Sequence, residues 1–420
     1  MLDLITAILS WAAYSLAVVV SLRGLSVDSF RPSTAYCLGV VSLAPPTYTF
    51  SIEGGIYNSE LFEASATTVH ALVVFGLYGS VFAVKLLASR YRHLENFQEF
   101  MVPWSKGKTL LLTVSIVAAW VFLTPRFKML ETLLSGIMLG DSVELNYARR
   151  IEFASGFFNT KVFTWIRFSL SPLLLLYLLS AFRNSKPWSR IAVSFLGYCL
   201  YFAMSASFHK STWFLGVIYI GLFHILTSRS LQNLGAISVY KSAGVLIVSL
   251  VSVVGLVTLS YLVQYRSNDS LTLWYHFVGA MDRVCGAVTF GYGAFAAVFP
   301  EIIPFSWDGG GVSSLDESPE RAVALALGVD TTIQPGVLGG LYAAIGLLAM
   351  PVYVIYALCA CFVCDIAVAK SGIRAVVVNV VLCVNILWIL QMPPGSSIAS
   401  SGILLTVITG CIAGWNGART

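Results

Sequence analysis

QYRSNDSLTLWYHFVGAMDRVCGAVTFGYGAFAAVFPEIIPFSWDGGGVSSLDESPERAVALALGVDTTIQPG, Gln264 to Gly336, is the longest run in the chain that cannot cross a membrane as one piece. It carries Arg266, His276, Asp282, Arg283, Glu301, Asp308, Asp316, Glu320, Arg321 and Asp330, beside Trp274, Tyr292 and Trp307. The surrounding chain is different. Its 420 residues are 57% hydrophobic and 11% charged, with a mean hydropathy of +0.82. Soluble domains carry about 25% charged residues. A dense polar stretch in so apolar a chain marks a loop outside a membrane bundle.

A helix needs about 20 mostly apolar residues to cross the hydrocarbon core. That rule predicts about eleven spans, near 4–22, 35–50, 67–89, 108–124, 162–182, 188–207, 211–228, 241–263, 337–364, 373–391 and 400–416. The expected fold is an all-α polytopic integral membrane protein, a single membrane domain over 1–420. Its large outer loop, 264–336, falls between the eighth and ninth spans. Leu4 to Leu22 is full span length with Arg23 after it and no basic segment before it, so it reads as a span and not a cleaved leader. Pro45-Pro46 makes the second span the weakest.

Lys and Arg in short loops mark the cytoplasmic side. The basic loops at Arg23/Arg31, Arg90/Arg92/Lys106/Lys108, Arg183/Lys186/Arg190, Arg229/Lys241 and Lys370/Arg374 all fall on one side of an alternating count. The loop with Glu53, Glu60 and Glu63, the Pro393–Ser396 turn and the long loop fall opposite. This predicts an outer N-terminus and a cytoplasmic C-terminus. Orientation accounts for the net charge of +5 better than nucleic-acid binding does, and no nucleic-acid partner is expected.

Two outer loops break the charge rule. The first, 125–161, holds Arg126, Lys128, Arg149, Arg150 and Lys161, with an apolar stretch Met129–Leu139 expected to lie in the interface. The second is the turn Ser207-Phe208-His209-Lys210-Ser211. Within the long loop, Gly286 to Val298 is too short to span and is expected to be re-entrant or interfacial. Of the eight cysteines, Cys37, Cys199, Cys383 and Cys411 read as small buried hydrophobes in apolar segments. Cys361 and Cys364 share a helix with Cys359, and without a second pair or a histidine they make a weak metal signal. No metal and no cofactor is expected.

Basic residues on a translocated side suggest a task. Arg149 and Arg150 offer planar forks suited to a pyrophosphate, or to anionic lipid headgroups. Lys210 can neutralise phosphate or simply snorkel, and His209 could serve as a base. Arg283 precedes a segment that should enter or lie on the membrane, and Arg266 ends the eighth span. Arg167 lies just inside the fifth span, where an ion is a functional hypothesis by default, with snorkelling as the alternative. Lys85 and His224, near cytoplasmic helix ends, read as anchors.

A general base must be a carboxylate or imidazole within reach of the acceptor hydroxyl. Glu152, Asp282, Glu301, Asp308, Asp316, Asp330 and His209 qualify by type, with Glu152 preferred for its place beside Arg150. The chain has no phosphate-binding G-x-x-x-x-G-K-[ST] loop, no H-E-x-x-H and no G-x-S-x-G. The Asp-x-Asp pair of metal-dependent sugar-nucleotide transferases is missing too. These absences argue against nucleotide-fuelled chemistry. The substrate should arrive already activated, through the membrane.

The layout resembles the Wzy-type oligosaccharide repeat-unit polymerases of the bacterial inner membrane. The likeness rests on Arg150 through Gly156 leading into a span with Pro172, and on the Ser207–Ser211 turn. It also uses Arg283 followed by an aromatic-glycine stretch to Phe299-Pro300, and Gln334-Pro335-Gly336 leading to Gly339-Gly340-Leu341-Tyr342 and Gly346. The resemblance implies a metal-independent glycosyltransferase joining repeat units carried on undecaprenyl pyrophosphate at the periplasmic face. In that picture Arg149, Arg150, Lys210 and Arg283 handle the pyrophosphate. Arg266 and Arg167 assist in binding, and Tyr292, Trp274, Trp307 and Tyr342 stack on sugars or form an aromatic belt. The partners would be the lipid-linked oligosaccharide and the bilayer, with room for a polysaccharide chain-length regulator. An O-antigen ligase shares the long loop, but its loop histidine should lie near the following span, and His276 does not. A transporter or flippase predicts repeated halves, and no repeat is evident.

Overall fold

The computed structural model describes residues 2–25, 30–46, 68–90, 105–124, 126–139, 161–205, 211–228, 255, 258, 336–371, 375–392, 397–398 and 401–417. Nearly all of them are helical, and none of the described residues is in a strand. We number the helices α1 (Leu2–Leu22), α2 (Pro32–Leu43), α3 (Thr68–Ala88), α4 (Lys106–Leu123), α5 (Arg126–Leu139) and α6 (Val162–Ala181). They continue as α7 (Pro187–Ser205), α8 (Ser211–Thr227), α9 (Gly336–Lys370), α10 (Ala375–Leu390) and α11 (Ile403–Gly417).

Five of these, α1, α3, α4, α6 and α9, are long and apolar enough to cross a membrane, as expected of an all-α membrane protein. Four shorter apolar helices lie within α2, α8, α10 and α11. A helix occupies each predicted span except the eighth, where only Gly255 and Thr258 are described. The expected interfacial stretch forms α5, which folds back on α4 with Phe122 and Phe127 stacked at 5.6 Å and Met129 buried.

Prolines set several boundaries. The predicted second span, 35–50, stops at Leu43, because Pro45 excludes Ala44 from helical backbone (φ −133, ψ 49). Likewise α4 starts at Ser105, whose side chain caps Lys108 N–H, and stops at Thr124 before Pro125. The ninth span was expected at 337–364 and instead continues to Lys370, broken where Gly346 takes φ +60 and a short 3-10 turn intervenes before Pro351.

Two main cores share α10. One joins α1, α2, α3 and α9 around Tyr36, Leu72, Tyr78, Leu338 and Tyr353. The other joins α6, α7 and α8 around Leu176, Tyr201, Tyr219 and Phe223. Val378, Leu382 and Ile386 of α10 face the first, while Val377, Val381 and Val384 face the second. A helix apolar on all sides belongs at a bundle's centre. Outward-facing Leu4, Ile8, Leu111, Phe122, Phe195 and Ile355 give the perimeter the apolar surface that lipid requires.

Cross-helix contacts pair ends of the same predicted side. At the basic end, Asp365 accepts from Ser33 N–H (3.2 Å), Asn379 donates to Phe30 O (2.8 Å) and Arg183 to Thr227 O (3.2 Å). At the other end, Trp120 donates to Met204 O (3.4 Å), and Ser171 meets Ser205. Cys37 and Cys383 are buried as expected, whereas Cys199 and Cys411 are exposed, on faces of α7 and α11 turned away from the cores.

Candidate functional site

The site begins with one proline. Pro172 has no N–H to give and crowds the carbonyl of the residue four before it, Phe168. Over Ile166–Leu170, α6 widens into a π-helical turn, a feature frequent at functional sites. Backbone left unpaired in hydrocarbon costs several kcal/mol, and a neighbouring helix supplies the partner. Asn385 Nδ2 on α10 donates to Phe168 O at 2.7 Å, while Asn385 Oδ1 accepts from the Tyr219 hydroxyl of α8 at 2.9 Å.

Other helices close around the bulge. Ser169 and Thr406 share a hydrogen bond of 2.7 Å, and Ser171 pairs with Ser205 of α7. Gly402 enters α11 with φ +79, and a Cβ there would lie 2.9 Å from both the Phe168 carbonyl carbon and its oxygen. Only glycine fits that approach. The Tyr201 and Tyr219 rings meet edge-on at 6.0 Å, and Trp388 meets Phe168 edge-on at 5.0 Å.

Arg167 sits on the π turn. Its guanidinium carbon lies 4.8 Å from the Phe168 ring centroid, a cation–π contact, and its Nε is buried. Its charge acts on the Tyr201 and Tyr219 hydroxyls of α7 and α8. Beside it, Trp388 Nε1 is a buried donor with no acceptor among the described residues. A buried donor of that kind calls for a ligand, a water or an ion. The chain matches no family model, no curated protein and no solved structure. The likeness to the repeat-unit polymerases therefore rests on the sequence motifs.

Of the other sequence-derived candidates, Tyr342 is 4% exposed and bonded to Thr68 in the first core. Arg149, Arg150, Glu152, His209, Lys210, Arg266, Trp274, Arg283, Tyr292 and Trp307 lie outside the described residues. Their attachment points can still be compared. The 140–160 stretch rejoins the described chain at Lys161, six residues ahead of Arg167 in sequence. The 206–210 turn joins Ser205, bonded to Ser171, to Ser211. The long loop rejoins at Gly336, and Gly336–Ile345 packs on the same Ile386–Leu390 turn that carries Trp388.

Sequence reading missed Asn385, Trp388 and Gly402. The signal for Asn385 was available, because an amide inside the apolar run around Val384 must find partners. His224, read from sequence as an anchor, shares a part-buried hydrogen bond of 3.0 Å with Ser194 of α7.

Proposed function

We propose that this chain is a membrane glycosyltransferase that polymerises oligosaccharide repeat units carried on undecaprenyl pyrophosphate, at the periplasmic face of a bacterial inner membrane. The observation that carries the reading is the placement of Arg167. A guanidinium on the π turn, stacked on the same Phe168 ring that meets Trp388, whose indole N–H has no acceptor among the described residues, suits the phosphate of a substrate that arrives through lipid.

In the proposed reaction, a hydroxyl at the non-reducing end of the incoming unit attacks the anomeric carbon of the growing chain. The new glycosidic C–O bond forms as the bond from that carbon to the pyrophosphate oxygen breaks. The electron pair leaves with undecaprenyl pyrophosphate, and the hydroxyl proton passes to Glu152 or His209. Arg149, Arg150, Lys210 and Arg283, with Arg167 and Arg266, stabilise the departing charge, often a large catalytic contribution. Trp274 and Tyr292 would stack on the sugars.

The test is extension by purified protein in nanodiscs, with undecaprenyl-pyrophosphate-linked repeat units and neither nucleotide sugar nor metal. A ladder of products, abolished in folded Arg283→Ala and Arg150→Ala, supports the polymerase. Transfer only when lipid A core is supplied would replace it with a ligase. Bilayer crossing of the lipid-linked sugar without transfer would replace it with a flippase.

A further inference from the structure

At the opposite, basic end of the second core, a cavity of about 460 Å³ opens between α6, α7 and α8. Arg183, Arg190, Asn184 and His224 form its polar side, and Leu179 and Phe182 belong to its apolar side. Two of these side chains are held by hydrogen bonds. Arg183 Nη2 donates to Thr227 O at 3.2 Å, which fixes one guanidinium where α8 ends. Ser194 and His224 share a hydrogen bond of 3.0 Å, with the Arg190 charge acting on the imidazole. On the other side of the Phe182 ring wall, Lys106 Nζ stands 5.9 Å from the ring centroid.

Among the described residues no acidic side chain lines this cavity, and the sequence contains none between Lys161 and Asn268. Cations gathered without a carboxylate repel one another, and a bound anion removes that cost. Basic pockets between membrane helices on the cytoplasmic side hold phosphate headgroups for this reason. The apolar wall adds a second requirement that free phosphate would leave unmet. Trp188, at the start of α7, is 82% exposed, as indoles that anchor at a membrane–water boundary are, and Ile191 and Phe195 extend the apolar strip along the same helix. We infer that this cavity binds the phosphate-diester headgroup of an anionic phospholipid, with its acyl chains along α7. The inference does not depend on the transferase reading.

The test compares the full chain in nanodiscs of phosphatidylcholine with and without phosphatidylglycerol, read by native mass spectrometry of retained lipid and by thermal midpoint. Phosphatidylglycerol should be retained and should raise the midpoint. Arg190→Gln should cut retention roughly fivefold, the effect of one arginine near a lipid surface, and leave the midpoint in phosphatidylcholine unchanged. Arg183→Gln in addition should cut retention further. Lys370→Gln, at the same end but outside the cavity, should change nothing. Three results would overturn the site: undiminished retention in both arginine variants, an equal loss in Lys370→Gln, or a midpoint rise reproduced by inorganic phosphate in phosphatidylcholine discs.

Discussion

Two buried polar clusters occupy the two cores, and both sit on a π-helical turn. In the first core the Tyr36 hydroxyl bonds Tyr353 at 2.8 Å and Ser80 at 2.7 Å, and Ser80 donates to Leu77 O at 2.6 Å, within reach of the Leu72–Tyr78 turn. Every group in that chain is neutral, and the chain ends on a carbonyl. In the second core the corresponding network is tied off at Phe168 O by Asn385, but it also contains the Arg167 guanidinium and the Trp388 N–H. A closed neutral network holds helices together, and nothing in it asks for a ligand. A charge and a spare donor exceed what packing needs. On the proposed reading, the difference separates a structural cluster from one built to receive something.

Substitutions can break that contrast. The largest loss of stability should come from Gly402→Ala, which places a Cβ against the Phe168 backbone at a positive φ. The left-handed conformation alone costs roughly 1–2 kcal/mol for other residues, and the collision adds to it. A thermal midpoint equal to the parent protein's, measured in detergent, would mean that α11 does not approach the bulge this closely. Asn385→Leu should follow, at about 1–3 kcal/mol for a buried carbonyl left without a donor, and it should depress transfer as well, because it frees the turn that carries Arg167. Retained transfer in that variant would uncouple the bulge from the activity. Tyr353→Phe should have the smallest effect, about 0.5–1.5 kcal/mol for one hydrogen bond, with transfer unchanged. A marked loss of transfer there would erase the distinction between the clusters.

Much of the helical layout was legible because apolar length and loop charge are local signals. The alternating count predicted which helix ends meet, and Asp365 with Ser33 and Ser171 with Ser205 meet accordingly. Helix ends were less legible, since Pro45 and Gly346 act on backbone geometry that hydropathy does not register. Arg167 stood out as a lone charge in an apolar span, and Pro172 was noted beside it. Their joint consequence was hidden. A proline frees one particular carbonyl, but which distant amide satisfies it depends on packing across more than two hundred residues of chain. For the same reason His224 looked like an anchor. Nothing local says that Ser194 and Arg190 lie on the facing side of the next helix.

The most direct test of the Arg167 cluster is transfer by Arg167→Ala and Arg167→Lys in nanodiscs, each checked for an unchanged thermal midpoint. If the guanidinium stabilises the departing pyrophosphate, Arg167→Ala should lose roughly 10²–10³-fold in rate, the usual effect of removing one charge-stabilising donor. Arg167→Lys should recover part of it as a point charge without the fork. Full transfer by a folded Arg167→Ala would contradict the assignment and leave Arg167 a packing residue.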